Sequence, residues 1–159
     1  IAMTNLGAGY YNGYFDENGQ PDYQKAFGYY TAAAKGGNKI AMNNLGAGYT
    51  NGYFTEDGQP DYTEARDWYV AAAKQEYELS MYNLGKGYDK GYYTDGKPDV
   101  KNAEKWYTEA ADRGHGLAAE KLVTYYLSGK TDENGQVLVE KDPEKALHYL
   151  NGAYEDNHR

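Results

Sequence analysis

A strong internal repeat constrains the fold of this chain more than any other feature. The ten residues that begin at Ile1 return at Ile40, and 25 of the 39 positions related by this offset are identical. A third copy begins at Leu79 and a weaker fourth copy at Leu117. A period of 20–50 residues is typical of repeat proteins, whose units pack on their sequence neighbours. We therefore expect a single domain of four repeats, at residues 1–39, 40–78, 79–116 and 117–159.

Each repeat is predicted to form two helices, because its apolar residues recur at spacings of three and four, as in Ala41, Leu45 and Tyr49. A glycine that can adopt the left-handed conformation is expected to end the first helix. These glycines are Gly13, Gly52, Gly91 and Gly129. An aspartate suited to the N-cap is expected to begin the second helix. These aspartates are Asp22, Asp61, Asp99 and Asp142.

The end of the second helix is marked by Gly37, Gly114 and Asn157, whereas the second repeat has Glu76 at that place. The second helix of that repeat is therefore expected to run on or to end less cleanly. In the first three repeats the first helix also contains Leu-Gly-x-Gly-Tyr. Glycine inside a helix costs about 1 kcal/mol relative to alanine, so its return indicates close packing. We expect Trp68 or Trp106 to lie across that gap.

The repeats resemble the Sel1-like repeat, a relative of the tetratricopeptide repeat. The resemblance rests on Asn44-Leu45-Gly46 and Trp68-Tyr69, with their equivalents in the other copies, and it covers essentially the whole chain. It implies an all-α fold, a right-handed α-solenoid of about four helix-turn-helix repeats that serves as a scaffold for protein partners. Because Ile1 falls inside a repeat, the chain is expected to be a fragment of a longer array, and the ends of the array are candidate surfaces for self-association.

Composition limits both the residue types that can form the core and the classes of partner that the chain can bind. The chain contains 20 Tyr and only 3 Phe, so the core is expected to be built from Tyr, Ala and Gly. The formal net charge of −8 disfavours binding to nucleic acid. No apolar run is long enough for membrane insertion. The scaffold role that the Sel1-like resemblance implies gives a protein or a peptide as the expected partner, and the alternative is a glycan-binding module that uses exposed tyrosines.

A stripe along the first helices is the predicted binding surface. Residues that differ between repeats recur there at spacings of three and four, and positions that face solvent or a partner are free to diverge. In the solenoid that the resemblance implies, this stripe lies on the concave face. The candidate residues, with Tyr82 as apolar anchor and Lys86 as partner of an acidic group, are Asn43, Asn44, Ala47, Thr50, Tyr82, Asn83, Lys86 and Asp89. Plain solvated surface is the alternative, and for the recurring asparagines a local hydrogen-bonding role is favoured over contact with a peptide.

No catalytic, metal or cofactor site is predicted. The three histidines, His115, His148 and His158, have neither triad nor metal-ligand spacing. The acidic loops around Gly19, Gly58 and Gly135 contain several side chains with oxygen atoms, as calcium-binding loops do, but they lack the final bidentate glutamate of such loops. We interpret them as turns.

Overall fold

The computed structural model describes residues 1–156, and the side chains of residues 1–152. Helices account for most of this part of the chain, with two helices in each repeat. The helices are α1 (Ala2–Tyr11), α2 (Tyr23–Lys35), α3 (Lys39–Thr50), α4 (Tyr62–Ala73), α5 (Glu78–Asp89), α6 (Val100–Ala111), α7 (Gly116–Ser128) and α8 (Pro143–Asp156). Asn157, the predicted end of the last helix, and His158 lie outside the described residues. No helix in the described residues has the length and apolar character needed to cross a membrane.

The chain divides into two compact units, Ile1–Tyr77 and Glu78–Arg159, which we call unit 1 and unit 2. In unit 1, α1 packs on α2, α2 on α3, and α3 on α4. In unit 2, α5 packs on α6, α6 on α7, and α7 on α8. Each unit therefore contains two consecutive helix pairs.

The second helix of each repeat begins where the sequence predicts. The side chains of Asp22, Asp61 and Asp99 each accept a hydrogen bond from the backbone N–H three residues later. Asp142 does the same for Lys145 at the start of α8. This side-chain bond satisfies an amide that would otherwise lack a partner in the first turn. The four helix starts are thus determined locally.

The end of α4 corrects one expectation. The helix does not run on: it ends at Ala73, and Glu76 adopts a φ of 57°. Gly37 and Gly114 occupy the equivalent places in the first and third repeats with φ of 83° and 88°. The backbone of the second repeat therefore turns as the other two do, although a side chain stands where they have glycine.

The first glycine of each Leu-Gly-x-Gly-Tyr segment lies against a tyrosine ring. A Cβ atom built on Gly46 would come within 2.7 Å of Tyr69, and one on Gly85 within 2.6 Å of Tyr107. Close packing is therefore confirmed, but the residue across the gap is the tyrosine that follows the predicted tryptophan. The tyrosine is the buried residue of the pair, with Tyr69 4% exposed and Trp68 only partly buried.

The core consists mainly of alanine and tyrosine, with one leucine from each of the last three repeats. Leu45, Leu84 and Leu122 are fully buried, and Tyr30, Tyr69 and Tyr107 are at most 4% exposed. The prediction of a core rich in Tyr and Ala is confirmed. Its tyrosine hydroxyl groups require polar partners inside the fold.

The fourth repeat departs from purely helical structure. Its longer loop forms an antiparallel hairpin of β1 (Lys130–Thr131) and β2 (Val137–Val139), in which Lys130 pairs with Val139. These strands were not predicted from the sequence. The turn of the hairpin is held by Asp132, whose side chain accepts from the N–H groups of Asn134 and Gln136.

Candidate partner-binding surface

The eight predicted site residues fall into two groups of four, one in each unit. Asn43, Asn44, Ala47 and Thr50 lie on α3 in unit 1, and Tyr82, Asn83, Lys86 and Asp89 lie on α5 in unit 2. Each group is described within its own unit. The stripe has three equivalent positions on each helix, which we call rows. The first row is Asn43 on α3 and Tyr82 on α5, the middle row is Ala47 and Lys86, and the third row is Thr50 and Asp89.

The first row does not face solvent. Asn43 is 5% exposed, and Thr4, the equivalent residue of the first repeat, is also 5% exposed. The prediction that Asn43 faces outward is therefore wrong. The repeats therefore differ at a position that lies in the interior. A side chain that is 5% exposed has little surface left to contact a partner.

Tyr82 in the same row is half-buried and packs within unit 2. Its ring stacks on that of His115, with centroids 4.5 Å apart, and lies 5.8 Å from the ring of Tyr107. Burial, assisted by the charges of Glu120 and Asp89, raises the pKa of Tyr82. Burial also lowers the pKa of His115, against the opposing effect of Glu78. Tyr82 is therefore a packing residue on at least one face, which the prediction of a free anchor did not include.

The third row contacts the buried tyrosine of its own repeat. The hydroxyl of Thr50 lies 3.4 Å from that of Tyr69, and it donates to the carbonyl of Gly46 at 2.8 Å. In the third repeat the hydroxyl of Tyr107 donates to Asp89 at 3.5 Å. In the second and third repeats the residue in this row thus differs in type, but in both it contacts the hydroxyl of a core tyrosine.

Asp89 has a second donor. The hydroxyl of Tyr125, on α7, donates to the other carboxylate oxygen at 2.5 Å. Burial raises the pKa of Tyr125 and that of Tyr107, and in both cases Asp89 adds to the effect. The ammonium of Lys130 lies 4.7 Å from the ring centroid of Tyr125. Asp89 therefore connects three helices of unit 2.

One of the recurring asparagines, Asn44, forms a local hydrogen bond. The side chain of Asn44 hydrogen-bonds to the hydroxyl of Tyr30, the core tyrosine of the preceding repeat. Asn44 and Asn83 are both partly exposed. The partner of Asn44 is a side chain.

The middle row is accessible in both units, and the third row stays partly exposed at Thr50 and Asp89, although both residues contact a core tyrosine. Ala47 is partly exposed and Lys86 is exposed. Their equivalents in the first and fourth repeats, Ala8 and Thr124, are partly exposed and exposed. The candidate surface is therefore narrower than the predicted stripe, and Lys86 is its charged residue.

A second accessible surface lies in unit 1, and sequence reasoning missed it. Tyr23, Gln24 and Phe27 of α2, together with residues 53–56 of the following loop, line an open groove of about 420 Å³. The rings of Tyr23 and Tyr53 stack in parallel with centroids 4.2 Å apart. We call this the tyrosine groove. The Gly-Tyr-Phe sequence that follows the first helix in two repeats is the signal that could have indicated it.

One end of unit 1 exposes an apolar face. Leu6 on α1 is 39% exposed, although its equivalents Leu45, Leu84 and Leu122 are fully buried. Met3, on the same helix, is 51% exposed. Self-association through the repeat ends would involve this face, and it stays a prediction.

The acidic loops use their carboxylates to hold turns. Asp16 accepts from the N–H groups of Asn18 and Gln20, and Asp57 accepts from that of Gln59. Within the described residues, no group of three or more His, Cys, Asp or Glu side chains is placed to hold a metal ion.

Comparison with known proteins agrees with the repeat analysis. The Sel1 repeat family model matches residues 1–38, 39–77, 79–115 and 124–158. No curated protein matches the chain. With the eight helices found in residues 1–156, these matches confirm the predicted fold class, an all-α solenoid of four Sel1-like repeats.

Solved structures with the same fold include three bacterial proteins. A Sel1 repeat protein from Oxalobacter formigenes superposes with a TM-score of 0.72 at 27% identity, over 97% of this chain and 57% of that protein. An immunity protein from Pseudomonas aeruginosa gives 0.58 at 18% identity, over 98% and 68% of the two chains. A protective antigen of uropathogenic Escherichia coli with an SLR fold gives 0.50 at 22%, over 96% and 38%. The chain thus spans little more than half of the Oxalobacter protein, and the other two show the fold alone.

Proposed function

We propose a function from one premise: this chain belongs to the Sel1 repeat family, whose repeats are generally protein–protein interaction modules. The proposed function is that of a non-catalytic scaffold that binds a peptide segment of a protein partner on the exposed part of the stripe around Lys86 of α5. The supporting observation is that Lys86 is exposed, whereas Tyr82 and Asp89 on the same helix are only partly exposed and contact other residues of unit 2.

The chemistry of this row favours an acidic group on the partner. Lys86 lies one helical turn after Tyr82, whose ring is only half-buried. An exposed lysine beside a tyrosine offers a cation and an apolar edge to the same ligand, and aromatic residues often dominate interface energies. Asn83, also partly exposed, adds a side chain that can hydrogen-bond to an extended backbone.

The test is selection from a library of random displayed peptides, followed by affinity measurements on Lys86→Glu. The expected result is that selected peptides carry acidic residues and bind at least tenfold more weakly to Lys86→Glu. Lys101→Glu is the matched control, because Lys101 is an exposed lysine on the second helix of the same repeat. Equal losses in both variants, or selected peptides without acidic residues, would contradict the proposal.

Glycan binding is the second candidate, and the exposed ring of Tyr14 is the observation that favours it. Tyr14 is 76% exposed and Tyr53 42% exposed, and flat aromatic surfaces can stack on sugar rings. Cell-wall oligosaccharides are therefore titrated in parallel with the selected peptides while Tyr and Trp fluorescence is recorded. A saturable response to oligosaccharides together with no peptide binding would replace the scaffold proposal.

A further inference from the structure

The second helix is joined to the first in the same way in all four repeats. The N–H of the N-cap aspartate donates to the carbonyl of the tyrosine near the end of the first helix. The bonds run from Asp22 to Tyr10 at 2.9 Å, Asp61 to Tyr49 at 3.0 Å, Asp99 to Tyr88 at 2.9 Å and Asp142 to Tyr126 at 2.9 Å. In every repeat, the residue three positions after the aspartate therefore occupies an equivalent backbone position beside this tyrosine.

In the first and fourth repeats that residue is a lysine that covers the tyrosine ring. The ammonium of Lys25 lies 5.1 Å from the ring centroid of Tyr10 and 3.4 Å from the carboxylate of Asp22. The ammonium of Lys145 lies 5.1 Å from the ring of Tyr126 and 3.9 Å from Asp142. Both lysines combine a cation–π contact with an ion pair.

The third repeat fills this place with a neutral side chain. There the amide of Asn102 donates to the carboxylate of Asp99 at 2.7 Å. In three of the four repeats the N-cap carboxylate thus has a side-chain donor from its own helix.

The second repeat has a carboxylate at this place. Glu64 is exposed, and it stands where Lys25 and Lys145 stand in their repeats. Within residues 1–152, neither Glu64 nor Asp61 forms an ion pair. Burial, followed by the charges of Glu64 and Asp61, raises the pKa of Tyr49. The environment that holds a lysine in two repeats is therefore present here without its cation.

The tyrosine groove of unit 1 adjoins this place. Phe27 and Phe54, which line the groove, both contact the ring of Tyr49, with centroids 6.2 and 6.1 Å apart. Glu56 adds an exposed carboxylate to the groove wall. The groove therefore adjoins Tyr49, the ring whose pKa is raised by burial and in part by the charges of Glu64 and Asp61.

We propose that this surface binds a lysine- or arginine-containing extended segment of a partner protein, whose cation takes the place over Tyr49 that Lys25 and Lys145 occupy in their own repeats. The apolar parts of the segment lie along Tyr23 and Tyr53 in the groove. A basic segment complements the carboxylates of Glu56, Asp61 and Glu64, and the acidic chain attracts it from solution. This surface is separate from the Lys86 row, so either proposal can fail without the other.

The test uses a fluorescein-labelled octapeptide of alternating lysine and proline, because proline keeps such a peptide extended in water. Its binding to the intact chain is followed by fluorescence anisotropy at low and at physiological salt. The decisive variant is Glu64→Lys, which reproduces in the second repeat the side chains of the first and fourth. We expect it to weaken binding at least tenfold while the melting temperature stays at or above that of the unmodified chain.

Three controls make the result specific. Glu133→Lys makes the same change in charge on an exposed residue of unit 2, and we expect less than a threefold effect. Glu64→Gln removes the charge with little change in shape, and we expect an intermediate loss. Lys86→Glu should leave binding of this peptide within threefold, because it alters the other surface.

Several results would overturn the proposal. Equal weakening by Glu64→Lys and Glu133→Lys would show attraction to net charge alone. Unchanged binding to Glu64→Lys would show that the peptide binds elsewhere on the chain. No measurable binding to the unmodified chain would show that this surface does not bind a basic segment. Saturable binding of cell-wall oligosaccharides that Glu64→Lys abolishes would assign the groove to sugars.

Discussion

The carboxylate of Asp89, at the end of α5, accepts a hydrogen bond from the hydroxyl of Tyr125 on α7, and its other oxygen accepts from Tyr107 on α6. One carboxylate thus satisfies two tyrosines that are at most 2% exposed. Leaving a buried donor without its partner costs about 1–3 kcal/mol.

Asp89→Ala is therefore expected to lower the free energy of unfolding by about 2–4 kcal/mol, since two buried hydroxyl groups lose a charged acceptor. Urea denaturation measures the change. Glu120→Ala, at an exposed residue of α7, is the control and should change stability by less than about 0.5 kcal/mol. Similar midpoints for both variants would show that Asp89 is only a surface residue.

Gly46→Leu should destabilise the chain by about 1–3 kcal/mol or more, because even a Cβ there comes within 2.7 Å of the Tyr69 ring. Gly28 provides an internal contrast, since it lies within α2 and a Cβ would meet nothing within 4 Å. Gly28→Ala should therefore stabilise by about 0.5–1 kcal/mol through helix propensity. Thermal melts of both variants check the pair, and the same sign of effect in both would refute the packing argument.

Glu76→Gly should raise stability by up to about 1 kcal/mol, because a non-glycine residue at a φ of 57° carries backbone strain that glycine does not. The reciprocal change, Gly37→Glu, places a side chain at a φ of 83° and should lower stability by about 1–2 kcal/mol. Chemical denaturation of both variants measures the difference. A loss of stability in Glu76→Gly would mean that the contacts of the glutamate outweigh its strain.

Alkaline pH is expected to unfold the chain through its buried tyrosines. Burial raises the pKa of Tyr69 and of Tyr30 to about 12, against an ordinary value of 10.0. A raised pKa in the folded state contributes stability that is complete below pH 10 and is lost as the pH rises from 10 towards 12. Absorbance at 295 nm and circular dichroism should therefore show exposed tyrosines ionising first and the buried ones ionising with loss of helix. Full ionisation of all tyrosines near pH 10 with intact helices would contradict this.

Local signals in the sequence were sufficient to predict the repeats, the helix starts and most of the turns. Asp61 caps α4 through a bond to the N–H of Glu64, three residues away, and such a bond needs no tertiary contact. The turn at Gly37 likewise follows from the conformational freedom of one residue. The backbone at Glu76 turns in the same way although this residue has a side chain. The tertiary structure therefore imposes a left-handed conformation that a glutamate disfavours.

Contacts between helices decided the candidate site, and these could not be derived from one helix at a time. Successive residues of a helix point about 100° apart, so the spacing places Asn43, Ala47 and Thr50 on one stripe but does not say how far neighbouring helices cover it. The structure shows that they cover Asn43 fully and Ala47 only in part. At Asp89 the divergence between repeats reflected a hydrogen bond to Tyr125, a residue 36 positions away whose approach depends on the packing of α7.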